Sequence, residues 1–209
     1  MWNSFFNPDN WLFKPFGKLV DIVMLSFLWA ICSIVFLPFG AATTALYDSV
    51  ARCLRGEEPG PLARFFRTLK SELVTGGFAG LIVIVLGYGL SGLHSLLYAQ
   101  ANTGSRGWGT VYIAFWVLLV LINGMITYIF PVLSRFEFKV GSLISTSLRL
   151  SMAHLPSTLL LGIVTTVSII AVYVMIWPVL FVPALWALAV SLPLERIFRP
   201  FMEAQDKED

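Results

Sequence analysis

A stretch of 40 residues without Asp, Glu, Lys or Arg, residues 155–194, constrains this chain more than any other feature. A bilayer core about 30 Å thick needs about 20 helical residues, each adding about 1.5 Å. The stretch is twice that length, and Trp177-Pro178 stands near its middle, where an α-helix has to end or bend. It therefore predicts a transmembrane helical hairpin with legs near 156–176 and 179–194.

The rest of the chain has the composition of a membrane protein. Hydrophobic residues make up 57% and charged residues 12%, whereas an average soluble domain is about 25% charged. Three further apolar segments predict spans near 19–38, 77–99 and 108–133. The first is longer than the signal-peptide core of about 7–15 residues and is interpreted as a retained span. The predicted fold is therefore all-α: a polytopic transmembrane helical bundle of about five spans, with residues 1–209 forming one integral membrane domain.

The segments between the predicted spans are basic and partly amphipathic. Residues 43–55 place Asp48 and Arg52 opposite an apolar side, with Thr43 or Thr44 as the candidate N-cap. Pro61 begins a second such helix. Its polar flank carries three basic residues, which we predict to contact lipid headgroups or a protein partner: Arg64, Arg67 and Lys70. Both helices are predicted to lie on the membrane surface.

Charge placement predicts an orientation. If the connectors 41–72 and 134–155 and the tail 195–209 are cytoplasmic, eleven of the 14 Lys and Arg residues lie in the cytoplasm. Five spans then put the N-terminus outside and the C-terminus inside. Lys14 and Lys18, next to the first span, argue locally against this orientation.

Few polar residues fall within the spans. Asp21 lies within one turn of a span start, so a headgroup-level carboxylate is favoured over a functional one. His94 is interpreted as a hydrogen-bonded packing residue in preference to a proton relay. Asn123 is interpreted as an interhelical hydrogen-bonding group in preference to a ligand contact. Three small residues on one face of the second span predict close helix packing: Gly87, Ser91 and Ser95.

The motifs expected of an enzyme are missing from the sequence. There is no HExxH, no Gly-x-Ser-x-Gly, no phosphate-binding loop and no pair of carboxylates within the spans. Two histidines do not suffice for a His-rich metal site, and two cysteines in dissimilar surroundings predict reduced thiols. We therefore expect no catalytic residues, no metal, no cofactor and no nucleic-acid partner.

Several segments are specific enough to resemble a known family. They are residues 21–29, 37–47, 55–58 and 65–67 and, less distinctly, 130–136. In them the chain is similar to the YesL-like bacterial membrane proteins, a family of unknown function, although Ser26 stands where that family often has Asn. The resemblance implies a bacterial inner-membrane protein often encoded beside genes for carbohydrate uptake and polysaccharide degradation. It implies no catalytic or ligand residues.

Two functional hypotheses follow. The first is an accessory or regulatory component of carbohydrate uptake or utilisation that contacts transporter or sensor proteins through its basic connectors. The second is a small-solute transporter or channel, which would bind sugars through aromatic and hydrogen-bonding side chains. The residues predicted to line its path are Asp21, Trp29, Asn123 and Tyr128. The lipid bilayer is the expected surrounding, and homo-oligomerisation is left open.

A weak internal similarity is also present. Residues 66–69 before the second span resemble residues 148–151 before the fourth. A parallel repeat of this kind would place a pseudo-two-fold axis along the membrane normal.

Overall fold

A computed structural model describes residues 13–34, 38–102, 106–136 and 138–205, and nearly all of them are helical. The helices are α1 (Phe13–Ile34), α2 (Phe39–Ser49), α3 (Pro61–Ser71), α4 (Leu73–Ala101), α5 (Arg106–Thr127), α6 (Ile129–Arg135), α7 (Val140–Ala153), α8 (Leu155–Val174) and α9 (Val182–Gln205). A π-helical turn, Val50–Arg55, extends α2, and a 3-10 turn, Trp177–Leu180, joins α8 to α9. The predicted all-α fold is confirmed. The aromatic residues of segment 1–12 and the tail 206–209 lie outside the described residues.

Four helical segments are long and apolar enough to cross a membrane. They are Gly17–Ile34, Leu73–Ala101, Gly107–Arg135 and Leu155–Val174. Each coincides with a predicted span. Their outer faces carry large exposed apolar side chains, such as Val85 and Val117 (both 65% exposed) and Val167 (58%). In a monomer surrounded by water such faces would be unfavourable, so the chain is a multi-pass membrane protein.

The predicted hairpin of residues 155–194 bends where its sequence indicated. The helix α8 ends at Val174, and Trp177-Pro178 opens the 3-10 turn before α9. The apolar first half of α9 corresponds to the fifth predicted span. Charged residues follow from Glu195 onward, which is why α9 as a whole is less apolar than the four segments above.

The third span is divided into two helices, α5 and α6, just before Pro131. Proline lacks an N–H, and its ring crowds the carbonyl four residues earlier, here that of Thr127. The helix α5 ends at Thr127, and the N–H of Tyr128 bonds to the carbonyl of Met125, three residues back, at 3.3 Å. The short helix α6 then continues to Arg135.

The helix α2 is not a surface helix, so that prediction is wrong. All residues from Gly40 to Ser49 are buried, and the helix packs between α1, α3, α4, α6 and α9. Thr43 and Thr44 are not N-caps; their hydroxyls donate to the carbonyls of Phe39 and Gly40 within the helix, at 2.8 and 3.0 Å. Because these polar groups are satisfied inside the helix and Asp48 by its neighbours, α2 can be buried on all sides.

The helices α1 and α2 form an antiparallel hairpin. At one end Lys18 Nζ lies 3.4 Å from Glu57 Oε1, and toward the other Trp29 Nε1 donates to Thr43 Oγ1 at 3.0 Å. The N-terminal end of α1 therefore lies beside the connector that contains Glu57. This corrects the predicted separation of Lys18 from the basic connectors, which followed from treating α2 as a surface helix.

Two helix crossings depend on glycine. Gly40 of α2 is so close to Gly76 and Gly80 of α4 that an added Cβ would collide with backbone atoms. The second crossing is similar, because Gly124 of α5 and Gly162 of α8 each meet backbone of the facing helix. At the first crossing Gly40 faces Gly76 and Gly80, and at the second Gly124 faces Thr158 and Gly162. In both, a pair of small residues four apart lets the backbones approach closely.

The face of Gly87, Ser91 and Ser95 does not pack as predicted. A Cβ at Gly87 would meet no atom within 4 Å, and both serines are exposed and donate to carbonyls of their own helix. The glycines that bring helices together on α4 are Gly76 and Gly80, about two to three turns before Gly87.

Candidate functional site

A group of charged residues gathers at the end of the bundle where α2 and α6 finish. We call Asp48, Arg52, Arg64, Arg135 and Glu195 the Asp48 cluster. Asp48 accepts hydrogen bonds from Arg52 Nε (3.0 Å), Arg64 Nε (2.6 Å) and the hydroxyl of Thr68 (2.8 Å). Arg135 Nη1 lies 3.5 Å from Asp48, and its Nη2 lies 2.6 Å from Glu195. The cluster thus joins α2, α3, α6 and α9.

The core of this cluster is withdrawn from solvent. The side chain of Asp48 is 2% exposed and that of Arg135 is 6% exposed. The hydrogen bond to Asp48 is the main cause that raises the pKa of the Arg64 guanidinium above its ordinary value. Buried charges of this kind are tolerated only when they are paired, so these ion pairs hold the four helices together.

Two further contacts tie α9 to the same end. The hydroxyl of Tyr47, which is fully buried, donates to Glu195 at 3.2 Å. Arg55 Nη1 donates to the carbonyl of Ser191 at 2.7 Å. The middle of α9, the end of the π-helical turn and the end of α6 therefore all lie together.

A cavity of about 470 Å³ lies between α1, α2, α4, α5, α6, α8 and α9. Its walls are largely apolar and include two tryptophans, Trp29 and Trp186. None of the described residues that line it is charged. Its volume falls within the range of about 300–1,000 Å³ found for small-molecule sites.

The polar side chains at the cavity wall bond mainly to one another. Asn123 Nδ2 donates to Thr166 at 3.0 Å, and the hydroxyls of Thr127 and Thr165 are 2.7 Å apart. Trp186 Nε1 donates to Thr165 at 2.9 Å. These contacts link α5, α8 and α9.

The four residues predicted for a solute path are not brought together. Trp29 and Asn123 both line the cavity. Asp21 is partly exposed on α1 and is not among the lining residues. Tyr128 is fully buried beside the kink between α5 and α6, where its hydroxyl accepts a hydrogen bond from Thr158 at 3.2 Å.

The three basic residues predicted to form a contact surface do not all lie on one exposed surface. Arg64 turns inward to Asp48, whereas Arg67 and Lys70 are exposed on the outer flank of α3. Phe66, which directly precedes Arg67, is 53% exposed. Only part of the predicted surface is therefore free to contact lipid or a partner.

Three polar residues within the spans serve as packing groups. His94 Nε2 and the hydroxyl of Tyr112 are 3.0 Å apart, and Asn123 bonds across to α8, so both predicted hydrogen-bonding roles are confirmed. Ser26 is fully buried, and its hydroxyl accepts the N–H of Ala184 at 3.1 Å, which fixes the start of α9 against α1.

The sequence did not reveal the residues, distant along the chain, that complete the Asp48 cluster and the polar part of the cavity wall. In the sequence Arg135 stands out only as one of the cytoplasmic basic residues, Glu195 only as the first residue of the tail, and Thr165 and Trp186 only as members of an uncharged run. The Asp48–Arg52 pair, four residues apart on one helix, was the available signal for a charge cluster. Nothing comparable marks Glu195, because its partners lie far away along the chain.

The described part of the chain contains neither a cluster of metal-ligating side chains nor a disulfide bond. Within residues 13–34, 38–102, 106–136 and 138–205, no three His, Cys, Asp or Glu side chains are placed to hold a metal ion. Cys32 and Cys53 are both free thiols.

Fold and site together define a multi-pass helical membrane protein with a charge-paired end and an uncharged cavity. A family model described as a protein of unknown function, DUF624, matches residues 22–91, which include Asp48, Arg64 and the crossing of α2 with α4. The chain is 25% identical over 195 residues to the uncharacterized protein YesL of Bacillus subtilis (strain 168), a match that covers 91% of this chain and 90% of that protein. These matches confirm the resemblance to the YesL-like family of unknown function. No solved structure matches the chain.

Proposed function

We propose that the protein is a bacterial inner-membrane accessory or regulatory component of carbohydrate uptake or utilisation, which contacts a transporter or sensor protein through α3. One observation carries the docking part of this proposal: Arg64 is fixed by Asp48, while Phe66, Arg67 and Lys70 remain exposed. Anchored in this way, α3 presents its basic flank in a defined orientation. The link to carbohydrates rests on the family resemblance alone.

Co-purification from native membranes tests the docking proposal. The double variant Arg67→Glu/Lys70→Glu should lose the partner, because both side chains are exposed and neither belongs to the Asp48 cluster. A matched double reversal on another connector, Lys139→Glu/Arg149→Glu, should retain it, since these residues are also exposed. Equal recovery of the same proteins with both double variants would contradict a docking role for α3.

The second candidate is a small-solute transporter of the sugar type. It is favoured by one observation, that Trp29 and Asn123 line the same cavity. Liposomes that contain the protein should then take up a labelled sugar, and Asn123→Ala should reduce the rate. Uptake equal to that of empty liposomes across a panel of sugars would exclude this function.

We also propose that both ends of the described chain face the cytoplasm. The support comes from the contact of Lys18 with Glu57 and from the binding of Arg55 and Arg135 to α9, which gather the two ends of the described chain at one end of the bundle. Lys14 and Lys18 then join the eleven basic residues on the positive side, and the local conflict with the positive-inside rule disappears.

A reporter at each terminus tests this orientation. Fusions of a protein that fluoresces only in the cytoplasm should be bright at both the N-terminus and the C-terminus. A dark N-terminal fusion beside a bright C-terminal one would restore the orientation expected from five spans.

A further inference from the structure

The polar groups at the cavity wall offer little to a hydrophilic ligand. Each of the indole N–H groups of Trp29 and Trp186 already donates to a threonine, and the hydroxyl of Ser168 donates to the carbonyl of Val164 at 2.8 Å. A sugar carries a hydroxyl on nearly every carbon. Inside this cavity most of those hydroxyls would lose water without gaining a partner, which disfavours binding.

The cavity walls are suited to hydrocarbon. Apart from the polar groups above, the lining consists of aliphatic and aromatic side chains from seven helices, among them Leu46, Val83, Ile126, Phe130 and Val172. Burial of apolar ligand surface against such walls is favourable, and no charged side chain has to be desolvated.

A second, smaller hollow lies beside the cavity and points to its entrance. Ser33, Ile84, Tyr88 and Ser91 contribute to this hollow, which shares Phe39 and Gly87 with the cavity. Tyr88 is 67% exposed on the outer face of α4, and Gly87 has open space where a side chain would lie. Because residue 87 has no side chain, open space remains where the two hollows adjoin, and we call this space the passage.

We propose that the cavity binds the hydrocarbon chain of a membrane amphiphile, which enters sideways from the bilayer past Gly87. This ligand is independent of the docking surface on α3. It competes with the sugar-transport alternative, since both would occupy the same volume.

Gly87→Leu is the variant that tests the entrance. Its side chain fits without a clash, because nothing lies within 4 Å of the added Cβ, and it would fill the passage. Gly89→Leu is the matched control. That glycine has equally open surroundings on the same helix but lines neither hollow.

Tryptophan quenching by a chain-brominated phospholipid measures occupancy. In detergent, a form that retains only Trp186 should be quenched saturably as the brominated lipid is added. Gly87→Leu should raise the half-saturating concentration at least about fivefold, while Gly89→Leu leaves it unchanged. A form that retains only Trp177, which is 78% exposed, reports quenching by lipid outside the cavity and should not saturate.

Native mass spectrometry of the chain with all seven tryptophans provides a second measurement that does not need those replacements. One bound lipid per protein should persist in the original chain and in Gly89→Leu, and should be lost in Gly87→Leu. The proposal is overturned if the two leucine variants retain lipid equally. It is also overturned if a sugar protects Trp186 from a water-soluble quencher while the brominated lipid fails to quench it.

Discussion

The helices α2 and α3 have similar sequence patterns and very different surroundings. Each is 11 residues long, and each has basic residues on or just after it. Yet α2 is buried on all sides, whereas α3 keeps an exposed flank. The difference arises from side-chain size. Ala41, Ala42 and Ala45 let neighbouring helices approach α2 from several directions, while Phe66 and Arg67 prevent this on α3.

The comparison teaches that a charged residue does not by itself mark a solvent-facing side. Asp48 looks like the polar face of a surface helix, but hydrogen bonds from Arg52, Arg64 and Thr68 make its burial tolerable. In a membrane protein with few charges, the partners available decide whether a charge is buried. Four substitutions, ordered by expected effect, test this interpretation.

Asp48→Ala should have the largest effect. It leaves Arg64 and Arg135 without their shared carboxylate, so the free energy of unfolding should fall by about 3–5 kcal/mol. Denaturant unfolding in mixed micelles measures the loss. Glu58→Ala is the control, because Glu58 is 49% exposed and 4.0 Å from Arg64, and it should cost about 0–1 kcal/mol. Equal losses would mean that Asp48 is not a buried partner.

Gly40→Ala should have an intermediate effect, similar in size to that of Arg64→Ala. Its methyl group would collide with backbone of Gly76 and Gly80, so α2 and α4 must separate, at a cost of about 1–3 kcal/mol. At Gly87 the same change meets open space and should stabilise the helix by about 0.5–1 kcal/mol. Thermal unfolding of both variants should shift in opposite directions. Shifts of the same sign would argue against close packing of α2.

Arg64→Ala and Arg67→Ala compare the side of α3 that binds Asp48 with its exposed flank. Loss of its charged hydrogen bonds to Asp48 should cost about 1.5–3 kcal/mol. Arg67→Ala removes an exposed side chain and should change the unfolding free energy by less than about 0.5 kcal/mol. If Arg67→Ala destabilises as much as Arg64→Ala, the flank is not free.

Trp29→Phe should have the smallest effect of the four. It removes the hydrogen bond to Thr43 between α1 and α2, which is worth about 0.5–1.5 kcal/mol, and keeps an aromatic ring for the contact with Phe39 although that ring is smaller. Trp177→Phe, at a side chain that is 78% exposed, should be close to neutral. The unfolding midpoints of the two variants in one detergent check this difference, and a larger loss at Trp177 would contradict it.

Much of the fold could be predicted from the sequence because membrane thickness fixes the length of an apolar span. The four spans, the break at Trp177-Pro178 and the start of α3 at Pro61 all follow from local chemistry. The burial of α2 could not be predicted in the same way, because it depends on Arg135 and on contacts made by α9. At the site, Trp29 and Asn123 were identified as polar or aromatic residues within spans, whereas the partners Thr165 and Trp186 depend on how α8 and α9 turn.

The position of Glu195 has a consequence for biogenesis. This carboxylate lies near the end of the chain, and it is the residue to which Arg135 and Tyr47 bind. During synthesis those two groups lack this carboxylate until α9 has been made. A chain cut short before α9 would therefore leave Arg135 to share Asp48 with Arg52 and Arg64, and the buried hydroxyl of Tyr47 would lose its acceptor.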